Sequence, residues 1–545
     1  MRVVQSKRFN SGLLLCLILL VSGFFHLYRL GRGEFLGEDE AQVMVKITRE
    51  FLWRDDIRNL GAIFTSSHPP LRMLLPLPFV ALFGANEFWL RFPNALAGIG
   101  VCYWTYRLGR RIFSRRAGLF AALLMAVSGM SGVYRSANGI GVFTLFLLIG
   151  LECLLVFVEA KGKRGELSAL TGTALFLSLA TLTFLEGSVF VLPAAYKYLR
   201  KVRRVERTAI LPVVVYALLA GSYVVLWTLV PILAVRWGLL PQIPAGNVQH
   251  LVQRLRALGA FNIGDWVGST VGTNSIWLTL FLAATIPWGW RHWGRKGWTA
   301  LLFFAPHLLV WLFLFQNSCG HTTYELPLWT ILSAQGVQVT WSKVKTSARL
   351  RWARLPLSLA TCAVAFLTGW HTYVLFLQDE IPPSIYNLVF YQERWMRTPC
   401  GVPHFVQLGQ PAAGVYIRQH AGPEDMILSN FGGSLEIYYA GRVSNPLRLD
   451  DVLSELDEPA RMQELDTHYL VLRGAEPVGP TGSMRPACAV LERGEPSLLI
   501  YNLWEEPDTT EVVSAEELRP VFYAEYANWR NLRPFLTAGS GEHTP

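Results

Sequence analysis

The sequence predicts a polytopic α-helical membrane protein that ends in a small soluble α/β domain. The mean hydropathy is +0.31 and only 16% of the 545 residues are charged, which is a low proportion for a soluble chain. Several windows contain more than about 18 apolar residues, the length that crosses a hydrocarbon core. Basic residues are concentrated in short loops between these windows. Together these observations favour many membrane spans over a globular core.

The first apolar segment, residues 11–30, follows Arg2, Lys7 and Arg8. A cleaved signal peptide has the same order of charge and hydropathy. The apolar stretch is long for a signal peptide, however, and no clear small-x-small cleavage site ends it. A retained first helix is therefore favoured, with a cleaved signal peptide as the alternative.

Eleven spans are predicted in total, with the N-terminus in the cytoplasm and the C-terminus outside. Basic clusters occur at residues 107–116, 161–164, 197–207, 291–296 and 343–354, and this arrangement places every cluster in the cytoplasm, as the positive-inside rule requires. The net charge of +10 thus indicates topology and not nucleic-acid binding. The predicted spans are residues 11–30, 87–108, 117–134, 139–158, 167–184, 188–198, 209–233, 275–290, 298–316, 322–340 and 355–377.

Residues 69–84 are apolar but are not predicted to cross the membrane. The stretch is short and contains Pro69, Pro70, Pro76 and Pro78, which interrupt helical hydrogen bonding. Counting it as a span would also move the next basic cluster outside. A helix at or dipping into the outer interface fits better, so residues 31–88 become one external loop.

The domain limits follow from these spans. Residues 1–377 form the predicted membrane domain, with a second large external loop at 237–274, and residues 378–545 form an extracytoplasmic α/β domain with a disordered tail after residue 534. Alternating patterns favour this class. The predicted helices are 412–420, 434–440 and 450–465, and the predicted strands are 426–429, 468–472 and 497–503.

Two of the seven cysteines, Cys400 and Cys488, fall in this outer domain. Pairing between them is compatible with an oxidising compartment, and the sequence leaves it open. The chain has no Walker loop, dinucleotide fingerprint or cysteine spacing of a zinc site.

The candidate chemistry lies at the predicted outer face. Asp39 and Glu40 follow the first span, His68 precedes two prolines, and Arg91 and Arg135 lie at the outer ends of spans. Each residue has a simpler explanation: carboxylates favour helix starts, histidine caps turns, and arginine snorkels to the interface. Several ionisable groups at one depth nevertheless indicate a functional site.

At these residues the chain resembles the GT-C-type glycosyltransferases of the protein O-mannosyltransferase and aminoarabinose-transferase group. The likeness covers about the first third of the chain, with a weaker match at Tyr324-Glu325-Leu326-Pro327-Leu328. The stretches that carry it are Asp39-Glu40-Ala41, His68-Pro69-Pro70-Leu71, Phe83-Gly84 with Arg91–Gly98, Gly109–Gly118 and Tyr134-Arg135-Ser136-Ala137.

The resemblance implies an integral enzyme of GT-C type that transfers a sugar, with inversion, from a polyprenyl-phosphate donor at the outer face. Carried over by position, Asp39 is expected to deprotonate the acceptor hydroxyl, and Glu40 to orient the acceptor or the loop. Four residues are expected to contact the donor phosphate or shape its site: His68, Arg91, Arg135 and Tyr324.

General chemistry agrees with these assignments. A hydroxyl nucleophile gains from a positioned carboxylate base. Phosphate leaves as a stable anion, so cationic donors in a dry pocket can supply much of the catalysis. Single displacement requires the base and the leaving group on opposite faces of the sugar.

The expected partners are a polyprenyl-phosphate-linked sugar, membrane lipids, and an acceptor that is a protein, a lipid or a glycan, with no nucleic acid. No cofactor is firmly predicted, although His68, His321 and the acid pair have the chemistry of a divalent-metal site. The expected location is the inner (plasma) membrane of a bacterial-type cell.

Two alternatives to an active transferase stay open at this stage. One is a lipid or sugar transporter or flippase, which mid-span ionisable residues would favour; Glu152 and Glu186 instead lie near span boundaries. The other is a catalytically inactive relative, against which the intact acid pair argues.

Overall fold

The computed structural model describes most of the predicted helical region and parts of the outer domain. It describes residues 11–31, 43–44, 47, 71–84, 86–137, 139–202, 275–314, 324–376, 409–422, 425–429, 435, 439–440, 443–444, 467–473, 484–492, 494–505 and 507–527. The chain divides into two compact units. The first comprises Met1–Tyr28, Phe64–Arg72 and Phe92–Pro403, and the second comprises Arg29–Ile63, Met73–Arg91 and His404–Pro545.

Helices dominate the described residues up to position 376. In chain order they are α1 Ser11–Leu27, α2 Leu71–Leu74, α3 Leu77–Phe83, α4 Glu87–Ile112, α5 Arg115–Val127, α6 Met130–Tyr134, α7 Ile140–Glu159, α8 Lys163–Thr183, α9 Val191–Val202, α10 Ile276–Gly289, α11 Gly294–Leu314, α12 Leu326–Thr346 and α13 Arg354–Phe376. Short 3₁₀ turns occupy Leu185–Phe190, Trp290–His292 and Ala348–Ala353.

The first unit is a bundle whose apolar core is contributed by α4 to α12. The main helix pairs are α7 with α8, α10 with α12, α5 with α12, and α1 with α5. A bundle of this kind packs its apolar faces together along helical ridges. Nearly every predicted span that the structure describes coincides with a helix.

Two predicted spans differ in detail from the structure. Residues 117–134 do not form one helix, because α5 ends at Val127 and α6 begins at Met130; Ser128 between them has extended backbone, with ψ of 153°. Residues 188–198 begin in a 3₁₀ turn that runs to Phe190 before α9. The predicted span at 209–233 lies outside the described residues.

Two described helices, Ile140–Glu159 and Arg164–Thr183, are by themselves long and apolar enough to cross a membrane. The total of eleven spans therefore stays a prediction. The stretch between Leu71 and Phe83 is divided into α2 and α3 next to Pro76, as its prolines predict.

Close packing of α4 on α5 explains the glycines at the two ends of the Gly109–Gly118 stretch. Ser114 caps α5 by accepting a hydrogen bond from the Ala117 amide at 3.2 Å. This bond gives an acceptor to one of the first-turn amides that have no partner within the helix. A Cβ at Gly109 would lie 2.8 Å from the Gly118 Cα, and one at Gly118 would collide with the Tyr106 carbonyl oxygen. These two residues let α4 and α5 approach backbone to backbone.

The second unit contains a six-stranded mixed sheet in the order β2-β1-β3-β5-β4-β6. The strands are β1 Met426–Ser429, β2 Val443–Ser444, β3 Thr467–Arg473, β4 Cys488–Glu492, β5 Glu495–Asn502 and β6 Glu511–Ser514, with helices α14 Gln410–His420 and α15 Ala515–Ala527. Strand β1 is parallel to β2 and β3, β5 is antiparallel to β3 and β4, and β6 is parallel to β4.

This sheet confirms the predicted α/β class and the three predicted strands, to which it adds β2, β4, β6 and the helix α15. The predicted helix at 412–420 is confirmed by α14. The predicted helix at 450–465 and the predicted disordered tail after 534 lie outside the described residues. Cys488 is a free, buried thiol in β4, and Cys400 lies outside the described residues. The predicted limits of 1–377 and 378–545 stay a prediction.

Candidate functional site

The structure describes three of the six predicted site residues. Arg135 and Tyr324 belong to the first unit and Arg91 to the second. Asp39, Glu40 and His68 lie outside the described residues, so their roles stay predictions.

Arg135 follows the last turn of α6 and has a side chain with no exposed surface. Its Nη2 donates to the Tyr28 carbonyl oxygen at 2.9 Å, just beyond the end of α1. A guanidinium is stable in an apolar interior only when its donors are satisfied. The snorkelling explanation for Arg135 is therefore wrong, because this cation is held inside the helical unit.

A second buried cation, Arg72, was missed by the sequence analysis. It lies in α2, four residues after His68, and is 2% exposed. Gly139, which has a φ of 84°, approaches it closely, since a Cβ there would lie 3.3 Å from the Arg72 Cγ. The available signal was an arginine inside the apolar stretch 69–84, because charged residues at membrane depth are functional candidates.

Tyr324 is fully buried in an aromatic cluster at the start of α12. Its ring packs edge-on against Phe143, with centroids 4.5 Å apart, and tilts against Phe184 at 6.2 Å. The ring of His307, from α11, lies 5.3 Å from it. The structure thus places Tyr324 among rings and beside an ionisable pair.

That pair joins His307 to Glu325, the residue after Tyr324. His307 Nδ1 donates to Glu325 Oε1 at 2.6 Å, and neither side chain has exposed surface. The imidazole also stacks on Phe190 at 5.0 Å. A buried pair of this kind is stable only when the attraction between the partners compensates for the loss of their hydration. Two signals in the sequence pointed to this pair. One was a histidine within an apolar run, and the other was a glutamate directly after Tyr324.

His26 is a further buried polar side chain, close to the Tyr134–Arg135 stretch. Its Nδ1 donates to the Ser22 carbonyl oxygen at 2.8 Å, and its ring lies 6.4 Å from that of Tyr134. A Cβ at Gly98 would collide with the His26 ring. The glycine that ends the Arg91–Gly98 stretch therefore provides space for His26.

In the second unit, the first turns of α4 hold the residues that follow α1. Arg91 is fully buried and its Nη1 donates to the Leu30 carbonyl oxygen at 3.3 Å. Gly31 lies against Phe88, since a Cβ at Gly31 would be 2.9 Å from the Phe88 Cβ. Arg91, like Arg135, does not snorkel to an interface.

These residues supply buried hydrogen-bond donors with fixed positive charge in an otherwise apolar setting. A guanidinium presents a planar set of donors that suits phosphate, and its attraction to an anion is stronger where water is excluded. Among the residues that the structure describes, no group of three or more His, Cys, Asp or Glu side chains is placed to hold a metal ion. The predicted divalent-metal site involves residues outside that part of the chain.

Comparison with known proteins supports the sequence motifs. The family model described as dolichyl-phosphate-mannose-protein mannosyltransferase matches residues 67–230. Two candidate mannosyltransferases of Bacillus subtilis (strain 168) also match: YycA is 28% identical over 194 residues and YkcB is 24% identical over 162 residues. These matches cover 35% and 29% of this chain but only 27% and 22% of the relatives, about a quarter of their length.

Solved structures match over most of the chain. ArnT from Cupriavidus metallidurans bound to undecaprenyl phosphate has a TM-score of 0.58 at 15% identity, over 90% of this chain and 98% of that one. The oligosaccharyltransferase of Archaeoglobus fulgidus has a TM-score of 0.54 at 13% identity, over 86% of this chain and 70% of that one. The resemblance to the GT-C-type glycosyltransferases is thereby confirmed, and the fold is that of mostly helical membrane proteins with a small sheet.

Proposed function

We propose, on the premise of this confirmed resemblance, that the chain is an integral membrane inverting glycosyltransferase. It transfers a hexosyl or pentosyl group from a polyprenyl-phosphate donor to an acceptor hydroxyl at the outer face of the plasma membrane. The N-terminus lies in the cytoplasm and the C-terminal α/β domain outside. The acceptor is a protein, a lipid or a glycan.

The observation that carries this proposal is the burial of arginine in an apolar helical unit. Arg72 and Arg135 both lie in the first unit and are at most 2% exposed. Keeping a guanidinium away from water is costly, and buried charges in membrane proteins usually serve substrate or ion chemistry. An anionic carrier phosphate is the substrate group that this chemistry fits, and ArnT, which shares the fold, was solved with undecaprenyl phosphate.

In the proposed reaction, Asp39 takes the proton of the acceptor hydroxyl as its oxygen attacks the anomeric carbon. The bond from that carbon to the carrier phosphate breaks on the opposite face, which inverts the configuration. Arg135 and Arg91, with His68 and Tyr324, bind or enclose the donor phosphate, and Glu40 orients the acceptor or the loop. Charge-assisted hydrogen bonds stabilise the phosphate as it leaves.

A transporter or flippase is the second candidate, and the buried His307–Glu325 pair is the observation that favours it. Ionisable pairs within membrane helices often mark a transport pathway. Glu152 gives no such support, since it pairs with Arg107 at 2.6 Å and the Arg107 side chain is 43% exposed.

The test uses purified protein in lipid nanodiscs with a panel of radiolabelled polyprenyl-phosphate sugars and a membrane extract as the source of acceptors. Turnover of one donor is expected, and Asp39→Asn should lower it by about 10²- to 10⁴-fold, the usual contribution of a positioned base. Asp56→Asn, in the same predicted loop, is the matched control and should stay near wild type.

Three outcomes separate the possibilities. Loss of turnover in Asp39→Asn alone supports the transferase and its base. Turnover that Asp39→Asn leaves unchanged contradicts the base assignment. A folded protein that turns over no donor, but moves labelled carrier across the bilayer, favours the transporter.

A further inference from the structure

One end of the first unit gathers basic side chains from helices that are far apart in the sequence. Arg111 at the end of α4 donates to Glu159 at the end of α7, at 2.7 Å, and Lys296 at the start of α11 contacts the same carboxylate at 2.5 Å. Ser114, just before α5, donates to Gln338 of α12 at 2.6 Å. These contacts bring basic loops that are separate in the sequence to a single end of the bundle.

The acids at this end are already paired. Glu152 contacts Arg107 at 2.6 Å, and Glu159 is shared by two cations. Four exposed cations of the same unit have no carboxylate within ion-pair distance anywhere in the described part of the chain: Arg291, Arg295, Lys343 and Lys345. This end of the unit therefore carries uncompensated positive charge, which attracts anions.

Two of these four cations lie over exposed indole rings. The Lys343 ammonium is 6.0 Å from the centroid of the Trp288 ring, and the Arg291 guanidinium is 5.6 Å from that of Trp290. The two tryptophans are 63% and 49% exposed. A cation at this distance is attracted to the face of the ring, and tryptophan in membrane proteins favours the level of the lipid headgroups. Each pair thus presents a positive charge and an apolar surface side by side.

Close packing of α10 on α12 holds the two pairs in place. A Cβ at Gly289 would lie 2.9 Å from the Gly336 amide nitrogen, and one at Gly336 would collide with the Thr285 carbonyl oxygen. The Thr285 and Ser333 hydroxyls are 2.6 Å apart. The two indole–cation pairs lie at or just after the ends of these two helices, so little ordering of the backbone is needed before a ligand binds.

We propose that the surface formed by Trp288, Trp290, Arg291 and Lys343, the indole–cation site, binds the headgroup of an anionic phospholipid. The two cations contact the phosphodiester, and the two indoles contact the glycerol and the first methylenes of the acyl chains. The charge of the site complements an anionic lipid, and basic pockets at helix ends are typical sites for such headgroups. This proposal concerns a different ligand from the sugar donor and does not rest on the proposed function.

The test is native mass spectrometry of the full-length protein in detergent, with phosphatidylglycerol and phosphatidylcholine of the same acyl chains titrated separately. The wild type should bind phosphatidylglycerol about 25-fold more tightly, since each of two basic residues near an anionic headgroup contributes roughly fivefold. The double variant Arg291→Gln/Lys343→Gln should lose this preference. Trp288→Leu keeps an apolar side chain but removes the ring face, and should weaken phosphatidylglycerol binding about three- to fivefold.

The matched control is Arg115→Gln/Arg116→Gln. It removes the same charge from two exposed positions at the start of α5, where the described residues place no indole ring over either cation. Its affinity for phosphatidylglycerol should stay within about threefold of wild type, because charges beyond a Debye length of the headgroup are largely screened. All the substituted side chains are exposed, so thermal unfolding of each variant should match that of the wild type.

Three results would overturn the proposal. The first is equal wild-type affinity for the two lipids. The second is an equal loss of phosphatidylglycerol affinity in the two double variants, since diffuse charge would then account for binding. The third is displacement of the lipid by inorganic phosphate at matched ionic strength, since a free anion would then suffice. If the Arg291→Gln/Lys343→Gln protein does not fold, Trp288→Leu decides the question, and wild-type affinity in that variant rejects the site.

Discussion

One ionisable pair in the helical unit and one pair at the α/β sheet lie in opposite environments. In the helical unit, Arg135, His307 and Glu325 have no exposed surface. In the sheet region, His420 and Glu511 form a pair at 3.8 Å with side chains 43% and 52% exposed. A histidine and a glutamate are thus enclosed in the first pair and solvated in the second.

The difference teaches where to look for function. Exposed pairs contribute about 0–1 kcal/mol and are easily gained or lost. Burying a charge costs several kcal/mol even after pairing, so a fold that keeps one inside an apolar bundle does so against its own stability. Buried ionisable side chains such as Arg135 are therefore the first residues to test for function.

The largest expected effect on donor binding is that of Arg135→Gln. Losing charge-assisted hydrogen bonds worth about 1.5–3 kcal/mol each should weaken the affinity for polyprenyl phosphate by roughly 100-fold. Isothermal titration of nanodisc-embedded protein measures this affinity. The control is Arg519→Gln in α15, which loses a 2.6 Å pair with Glu492 and should bind the carrier like wild type. Equal affinities in all three proteins would contradict the assignment.

The largest expected effect on stability concerns the His307–Glu325 pair. Glu325→Leu alone leaves His307 without its carboxylate partner and should destabilise the protein by about 3–5 kcal/mol, whereas adding His307→Phe should recover much of that loss. Thermal unfolding in nanodiscs measures both variants. A stable, active double variant would show that the pair is structural and weaken the transporter alternative; additive losses would contradict the pairing argument.

The smallest effect lies in the sheet, at Cys488. Burial, followed by the nearby Glu511 carboxylate, raises the pKa of its thiol from 9.0 to about 12. At pH 8 the thiolate is then rare, so maleimide should label Cys488 only after unfolding. Because the folded pKa is the higher one, the associated stability is complete below about pH 9 and is lost as the pH rises toward 12. Peptide mapping assigns the label to individual cysteines, and rapid labelling of Cys488 in the folded protein at pH 8 would contradict this.

Much of the helical region could be predicted from the sequence, because long apolar runs and basic loops are local signals. The strands at 426–429 and 468–472 were predictable for the same reason, from short β-rich runs. Strand β4 was missed since it ends in the charged Glu492, and β6 because it is an edge strand that begins with the charged Glu511.

The site was less predictable, because burial is a tertiary property. Nothing local distinguishes Arg135, which is enclosed, from an arginine that snorkels. Arg72 lies in an apolar stretch whose prolines alone were used for the prediction. His307 lies in α11 and Glu325 caps α12, so their pairing depends on how these two helices pack. The hydrogen bond from the Tyr439 hydroxyl to Glu87 joins residues 352 positions apart, a distance at which sequence patterns carry no information on pairing.

The bond between Arg135 and the Tyr28 carbonyl oxygen has a consequence for biosynthesis. Its partners are 107 residues apart, so at a translation rate of about 5–20 residues per second the first helix waits about 5 to 20 s before Arg135 has been synthesised. During that interval the end of α1 lacks a partner that it has in the finished protein. Insertion of this chain is therefore expected to involve an early stage in which α1 is in the bilayer but not yet docked, when a membrane chaperone would find it accessible.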